Sequence, residues 1–239
     1  MPTTTVILPV YNEGATIART IESVLKFASA NPTIRLMFIN DGSSDYTGYL
    51  LNEKIKDVSN IQIVENLENI GKARSIHKGV DLAETEYICF ADGDLAYSLD
   101  HIHALVQALG KFDLVIGNRS LSENHLRNKT RHVFGETFNR MVRMMLNMNF
   151  TDTQAGLKGF RKEIAKKLFK VHLINNFAFD AELLYIARLK GFSIGQIPAK
   201  VNEYHQFRPS NVKLLVDSPK MFLSLLKIIF YRLTGRYNE

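Results

Sequence analysis

The segment Tyr87-Ile88-Cys89-Phe90-Ala91-Asp92-Gly93-Asp94 carries the strongest local signal in this sequence. Residues 87–91 form an apolar run of strand length, and two carboxylates two residues apart follow it at once. Carboxylates placed just outside a buried strand can hold a hard cation such as Mg²⁺ or Mn²⁺ and leave positions open for phosphate oxygens. An Asp-Gly-Asp sequence alone is a common turn, so its place among the other strands is what matters.

Similar apolar runs recur on both sides of this segment, with residues of helical periodicity between them. This alternation predicts an α/β fold with a mostly parallel central sheet and helices on both faces. The predicted strands are residues 5–10, 34–39, 61–64, 87–91, 113–117 and 192–197. Further helices are predicted around residues 134–146 and 180–189.

Polar clusters follow four of the predicted strands, and such sheets bind ligands beyond the carboxyl ends of their strands. The clusters are Tyr11-Asn12-Glu13, Asn40-Asp41-Gly42, Asp92-Gly93-Asp94 and Asn118-Arg119. We therefore expect them to converge on one edge of the sheet. Asp41 could accept the ring N–H of uracil or guanine, or it could only cap a turn. Tyr11 and Glu13 could border the base and ribose, or Glu13 could cap a helix.

Two other segments favour anions. Asn69-Ile70-Gly71-Lys72 precedes a helix, and a helix N-terminus with a lysine attracts negative charge. Its spacing fits neither a P-loop nor a dinucleotide fingerprint, which disfavours an NAD enzyme. A basic stretch follows the fifth strand and could bind phosphate or could be a solvated loop. It contains Arg119, Arg127, Lys129, Arg131 and His132.

The composition is that of an ordinary globular protein, with 46% hydrophobic and 23% charged residues among 239 and a formal net charge of +6. The basic balance favours anionic partners, but no long Lys/Arg block points to nucleic acid. Cys89 is the one cysteine, so no intramolecular disulfide is possible and a reducing compartment is expected. We see neither a signal peptide nor an apolar run long enough to span a membrane.

Residues 211–233 are strongly apolar with a helical pattern, interrupted by Lys220 and Lys227 and followed by Arg236. Pro219 should start or kink this helix. The helix could lie in a membrane interface with its basic residues toward lipid phosphates. It could instead dock on the core or in a homodimer, although we favour the membrane interface.

Taken together, these motifs resemble glycosyltransferase family 2, whose members have the GT-A fold and transfer sugars with inversion. Later motifs resemble the branch of dolichyl-phosphate glucose and mannose synthases, and the resemblance covers roughly residues 5–213. The motifs are residues 6–13, 39–45, 69–72, 92–94, 117–119, 152–161 and 177–184. The sequence departs from the family pattern at Asn40, Ala96 and Ser210-Asn211.

The resemblance implies a role for each matching residue. Pro9, Tyr11, Glu13 and Asp41 would contact the nucleoside, and Lys72 and Gly93 would complete the nucleotide-sugar site. Asp92 and Asp94 would bind ribose, diphosphate and metal, with Arg119 near the reacting phosphates. The acceptor, phosphate or sugar would be contacted by Arg131, Asp152, Gln154, Lys158, Asp180, Glu182 and Arg208, with Lys213 in the same basic loop as Arg208.

The expected function is transfer of a sugar, with glucose from UDP-glucose preferred over mannose from GDP-mannose, onto a polyprenyl phosphate. A Mg²⁺ or Mn²⁺ ion would assist, and the protein would sit peripherally on the cytoplasmic face of a membrane. A glycan acceptor would need a carboxylate base, for which Asp152 is the candidate. A non-catalytic nucleotide-binding module is the remaining alternative. We expect a transferase domain at residues 1–210, divided at residue 118 into nucleotide and acceptor halves, and a C-terminal helix at 211–239.

Overall fold

The computed structural model describes residues 2–122, 139–176, 178–202 and 214–238. Within them, strands and helices alternate along most of the chain. The strands are β1 (Thr4–Val10), β2 (Ile34–Asn40), β3 (Ile61–Glu65), β4 (Tyr87–Ala91), β5 (Leu114–Asn118), β6 (Leu157–Arg161) and β7 (Ile194–Pro198). The helices are α1 (Ile17–Ala30), α2 (Thr47–Ile55), α3 (Lys72–Leu82), α4 (His101–Leu109), α5 (139–146), α6 (Lys162–Val171), α7 (Phe179–Leu189) and α8 (Leu214–Leu233).

The seven strands form one sheet in the order β3-β2-β1-β4-β6-β5-β7. All neighbouring pairs are parallel except the two that involve β6, which runs antiparallel to both β4 and β5. The predicted mostly parallel sheet is therefore confirmed. The sequence pattern did not predict β6 or α6, and the orientation of β6 has a direct effect on the site. Because β6 is reversed, its amino end lies at the edge where the parallel strands have their carboxyl ends.

Helices cover both faces of the sheet, as predicted, because successive strand side chains point to opposite faces. In β1, Ile7 packs on one face with α3, α6, α7 and α8, whereas Val6, Leu8 and Val10 pack on the other with α1, α2 and α4. Burial on both faces explains why the inner strands read as continuous apolar runs.

The C-terminal helix α8 begins at Leu214, so Pro219 does not start it, and the alternative that Pro219 kinks the helix stays a prediction. Met221, Leu225 and Ile228 are buried against the core cluster that contains α7. One face of this helix therefore docks on the core, as one of the predicted alternatives required. None of the helices among the described residues combines the length and the hydrophobicity of a membrane span.

Candidate active site

The loops after β1 and β2 are tied together by hydrogen bonds. The Asn12 backbone N–H donates to Ser43 Oγ (3.0 Å), and the Ser44 N–H donates back to Asn12 Oδ1 (2.9 Å). The Glu13 N–H donates to Thr47 Oγ1 (2.8 Å). The predicted convergence of these two loops is thus observed, and it leaves the Tyr11 ring 47% exposed beside them.

Two glycines allow the acidic pair to lie close against its neighbours. A Cβ on Gly93 would collide with the Pro9 carbonyl oxygen at the end of β1. A Cβ on Gly156 would collide with the Asp92 carboxylate, and the Asp92 N–H donates to the Gly156 carbonyl (3.1 Å). Asp92 and Asp94 therefore lie beside the end of β1, and Asp92 also lies beside the start of β6.

Asp41 is buried and accepts hydrogen bonds on both carboxylate oxygens. Oδ1 accepts from Asn66 Nδ2 (2.9 Å) and from the Ile70 N–H (3.0 Å). Oδ2 accepts from the Gly71 N–H (2.9 Å). Gly71 has φ 90°, a conformation that favours glycine, and α3 begins directly after it. Asp41 therefore shapes the turn that carries Lys72.

The Lys72 ammonium group forms an ion pair with Asp92 Oδ1. Burial lowers the pKa of Lys72, but Asp92, Asp180 and Asp94 together outweigh this effect and hold the pKa above its usual value. The side chain is thus a permanent cation in contact with the acidic pair. Asp94 in turn accepts a hydrogen bond from the Ala96 N–H (3.1 Å).

Arg119, directly after β5, and Asp152, shortly before β6, form a bidentate pair. Arg119 Nε lies 2.5 Å from Asp152 Oδ2, and Nη2 lies 2.6 Å from Oδ1. Burial raises the pKa of the Asp152 carboxyl, but the Arg119 guanidinium, helped by Lys158, lowers it below the usual value overall. Burial likewise lowers the pKa of Arg119, whereas Tyr97, Asp152 and Asp92 raise it overall. Both groups are therefore held in their charged forms.

Lys158 and Asp180 form a second buried pair. Lys158 Nζ lies 2.6 Å from Asp180 Oδ1 and donates to the Ala155 carbonyl (2.7 Å). The Lys158 side chain has no exposed surface and lies over the Phe90 ring. Its observed role is to join β6 to α7.

The residues of these three ion pairs also affect the pKa values of neighbouring pairs, and we call the six residues the charge ring. Asp92 helps to raise the pKa of Arg119, Lys158 helps to lower the pKa of Asp152, and Asp180 helps to raise the pKa of Lys72. Its members, in order, are Lys72, Asp92, Arg119, Asp152, Lys158 and Asp180. With Asp94 added, carboxylates exceed cations by one, so these groups alone would repel a diphosphate.

The remaining predicted residues lie elsewhere or have other partners. Glu182 is buried and accepts from the Leu173 and Ile174 N–H groups and from the Tyr237 hydroxyl (2.7 Å). The structure thus does not place it with the charge ring. The Gln154 N–H donates to Asp152 Oδ1 (3.3 Å), which puts Gln154 beside that ring. Arg127, Lys129, Arg131, His132, Arg208 and Lys213 lie outside the described residues, whereas Arg119 lies within them.

Sequence reasoning missed two positions that shape this site. Asn66 holds the Asp41 carboxylate, and the Gly156 backbone lies directly against Asp92. Asn66 follows β3, so its place after a strand was the available signal. Gly156 precedes β6, and no local pattern revealed its contact with a residue 64 positions earlier.

A divalent cation fits the acidic pair. The described residues contain no group of three His, Cys, Asp or Glu side chains that could bind a metal. Asp92 and Asp94 supply two hard oxygen donors, and the excess of negative charge around them calls for a cation before a diphosphate can bind. Nucleotide phosphates commonly complete such sites.

Replacing Gly156 with alanine tests the placement of Asp92. The new Cβ would push the carboxylate aside, so we expect the affinity for Mn²⁺ with UDP to fall about tenfold while the fold survives. Isothermal titration would measure it. Gly110→Ala is the matched control, because Gly110 has a helical φ of −61° and its Cβ would meet only Gln107 O at 3.2 Å. Unchanged affinity in Gly156→Ala would show that Asp92 does not bind in this position.

The sheet, with acidic and basic turns along the carboxyl ends of its strands, defines a nucleotide-binding α/β protein. Residues 5–169 match Glycosyl transferase family 2, and the chain belongs to this family. This confirms the resemblance expected from the motifs.

Among sequence relatives, the chain is 28% identical to a dolichyl-phosphate beta-glucosyltransferase from Trichomonas vaginalis, over 95% of this chain and 73% of that protein. It is also 28% identical to a dolichyl-phosphate beta-glucosyltransferase from Dictyostelium discoideum, over 96% and 75% of the two chains. These similarities extend past the nucleotide half into the region where the later motifs lie.

Among solved structures, the fold resembles glucosyl-3-phosphoglycerate synthase from Mycobacterium tuberculosis, determined with uridine diphosphate. The TM-score is 0.70 at 20% identity, covering 95% of this chain and 80% of that one. A mannosyltransferase from Pyrobaculum calidifontis, determined with GDP-mannose and Mn²⁺, has a TM-score of 0.56 at 17% identity, covering 82% and 55%. The predicted GT-A fold is thereby confirmed.

Proposed function

We propose that this chain transfers glucose from UDP-glucose onto the phosphate of a polyprenyl phosphate, with inversion at the anomeric carbon. The observation that carries the proposal is the Arg119–Asp152 pair. Both Asp152 oxygens are engaged by Arg119, and the pKa of Asp152 is lowered, so this carboxylate is poorly suited to remove a proton. A phosphate acceptor needs no such base. The names of the sequence relatives support the same acceptor.

In this scheme an acceptor phosphate oxygen forms a bond to the anomeric carbon while the bond from that carbon to the UDP oxygen breaks. The second pKa of a phosphate monoester is about 6, so the acceptor is already an anion near neutral pH. Arg119 and Lys72 hold the phosphates close together despite their repulsion. Asp152 keeps the guanidinium in position.

Asp92 and Asp94 would hold a Mg²⁺ or Mn²⁺ ion, which neutralises charge on the departing diphosphate. Manganese in solved structures of both similar proteins is consistent with this assignment. Asp41, Tyr11, Glu13 and Pro9 line the adjoining loops, where the uridine would bind.

A donor-by-acceptor assay tests the proposal. UDP-glucose, other UDP-sugars and GDP-mannose would each be offered with a short polyprenyl phosphate or an oligosaccharide, with and without EDTA. We expect glucosyl transfer to the phosphate only, abolished by EDTA. Transfer to the oligosaccharide, or a clear preference for GDP-mannose, would overturn the proposal.

We also propose that α8 rests on the cytoplasmic face of a membrane. Residues along a helix are about 100° apart, which places the exposed apolar side chains of α8 in one stripe, opposite the face that packs on the core. Phe222, Leu223, Leu226, Phe230 and Leu233 form the stripe. The exposed Lys220 and Lys227 lie beside this stripe, whereas Arg232 donates to the Tyr185 hydroxyl (3.0 Å). Cations flanking an apolar stripe suit an anionic lipid surface.

The homodimer expected as an alternative from the sequence stays a prediction.

Vesicle flotation tests this membrane contact. Replacing Leu226 and Phe230 with serine should reduce binding to vesicles containing phosphatidylglycerol about tenfold or more, because two apolar side chains would no longer be buried in the membrane. Replacing Leu67, a fully exposed leucine after β3, with serine is the matched control. Equal binding by both variants would count against α8 as the contact.

A further inference from the structure

Asn66, directly after β3, lies at the centre of a buried hydrogen-bond chain beneath the turn that carries Lys72. Its Nδ2 donates to Asp41 Oδ1 (2.9 Å) and to Ser75 Oγ (3.0 Å). Its Oδ1 accepts from Lys78 Nζ (2.7 Å), and its backbone N–H donates to the Asn40 carbonyl (2.9 Å). Both donors of the amide group are therefore used.

The orientation of this amide group is fixed by its two charged neighbours. The Lys78 ammonium group can only donate hydrogen bonds, and the Asp41 carboxylate can only accept them. A flipped amide would place N–H groups against Lys78 and its oxygen against Asp41. Asn66 therefore always presents a donor to Asp41 Oδ1.

This contact limits what Asp41 can offer a nucleotide base. A carboxylate oxygen accepts about two hydrogen bonds, and Oδ1 already receives two, from Asn66 and from the Ile70 N–H. Oδ2 receives one, from the Gly71 N–H, and no other donor in the described parts of the chain reaches it. One acceptor position is thus left, on a single oxygen.

Uracil and guanine place different demands on such a carboxylate. Uracil has one ring N–H, flanked by two carbonyl oxygens that a second carboxylate oxygen would repel. Guanine has a ring N–H next to an amino group, so it is bound best by both oxygens of a carboxylate. A site with one open acceptor position satisfies uracil and leaves a guanine donor unpaired, which is costly in a buried site.

We infer that Asn66 is a specificity-determining residue, which makes Asp41 a single-point acceptor and so favours uracil over guanine nucleotides. The inference rests on the proposed donor site. Asn66 does not touch the base in this scheme and acts through Asp41. By holding Asp41, it also positions the Gly71–Lys72 turn.

The test is the ratio of the Kd for GDP to the Kd for UDP, each measured with Mn²⁺ by isothermal titration. Asn66→Ala opens the second position on Oδ1, so we expect the ratio to fall about tenfold. A purely structural role would weaken both nucleotides alike and leave the ratio unchanged. Asn52→Ala is the matched control, because the exposed Asn52 amide bonds Glu65 and Gly48 instead.

A second variant keeps the test valid should Asn66→Ala fail to fold. Lys78→Met removes the ammonium group that orients the amide and that also donates to the Glu65 carbonyl (3.0 Å), but it keeps Asn66 itself, so we expect a smaller fall in the same ratio. An unchanged ratio in folded Asn66→Ala, or in Lys78→Met where the former does not fold, would overturn the inference. If the wild-type protein bound neither nucleotide, the proposed function itself would fail instead.

Discussion

Replacing Asp92 with asparagine should reduce sugar transfer about 1000-fold, the largest effect we expect from a single substitution. The change removes one of two carboxylates available to a divalent ion and also the partner of Lys72. The affinity for UDP should then lose most of its dependence on Mn²⁺. Initial rates with UDP-glucose and a short polyprenyl phosphate, together with titration of UDP with and without Mn²⁺, would measure both effects.

The exposed Asp57 provides the control, because Asp57→Asn makes the same chemical change away from the site. It should leave the rate and the Mn²⁺ dependence as they are. If Asp92→Asn retained transfer within tenfold of the wild type, the acidic pair could not be the metal site.

Replacing Arg119 with lysine should reduce kcat about 100- to 1000-fold, although the positive charge is kept. Lysine is a point charge and cannot form the two parallel bonds that Arg119 makes with Asp152. The cation would lose its fixed direction toward the reacting phosphates. UDP affinity should fall much less, so a comparison of kcat with the Kd for UDP separates the two effects.

Combining Arg119→Lys with Asp152→Asn tests whether the pair acts as a unit. If Asp152 works only by orienting Arg119, the double variant should lose little more than Arg119→Lys alone. Asp152→Asn alone should keep the shape of the wild-type pH–rate profile. A changed pH–rate profile together with near-complete loss of transfer in Asp152→Asn, with UDP binding intact, would instead indicate a general base and a hydroxyl acceptor.

The nucleotide half of the site was predictable because its signals are local. In each case an apolar strand ends in a polar turn, and parallel strands bring those turns to one edge without further information. Asp41, Asp92 and Arg119 were located in this way. The hydrogen bonds of these residues to their partners were not predictable from local signals, because Asn66 is 25 residues from Asp41 and Asp152 is 33 residues from Arg119.

The strand β6 could not be recognised because its sequence contradicts a buried strand. It contains Lys158 and Gly159, and a lysine is buried only when paired. Its partner, Asp180, lies 22 residues further along the chain. Glu182 was grouped with Asp180 by motif, yet two residues along a helix turn the side chain about 200° away. This rotation explains its separate partners, Leu173 and Tyr237.

The placement of β6 between β4 and β5 has a consequence for how the chain folds. These two strands are consecutive among the strands of the first 118 residues, yet they pair with β6 rather than with each other. In a fragment ending at Asn118, β4 and β5 would each have an unpaired edge where β6 normally lies. Unpaired strand edges favour aggregation. The two strands can therefore be joined only after residue 161 has been synthesised, and we expect the two halves to fold as one cooperative unit.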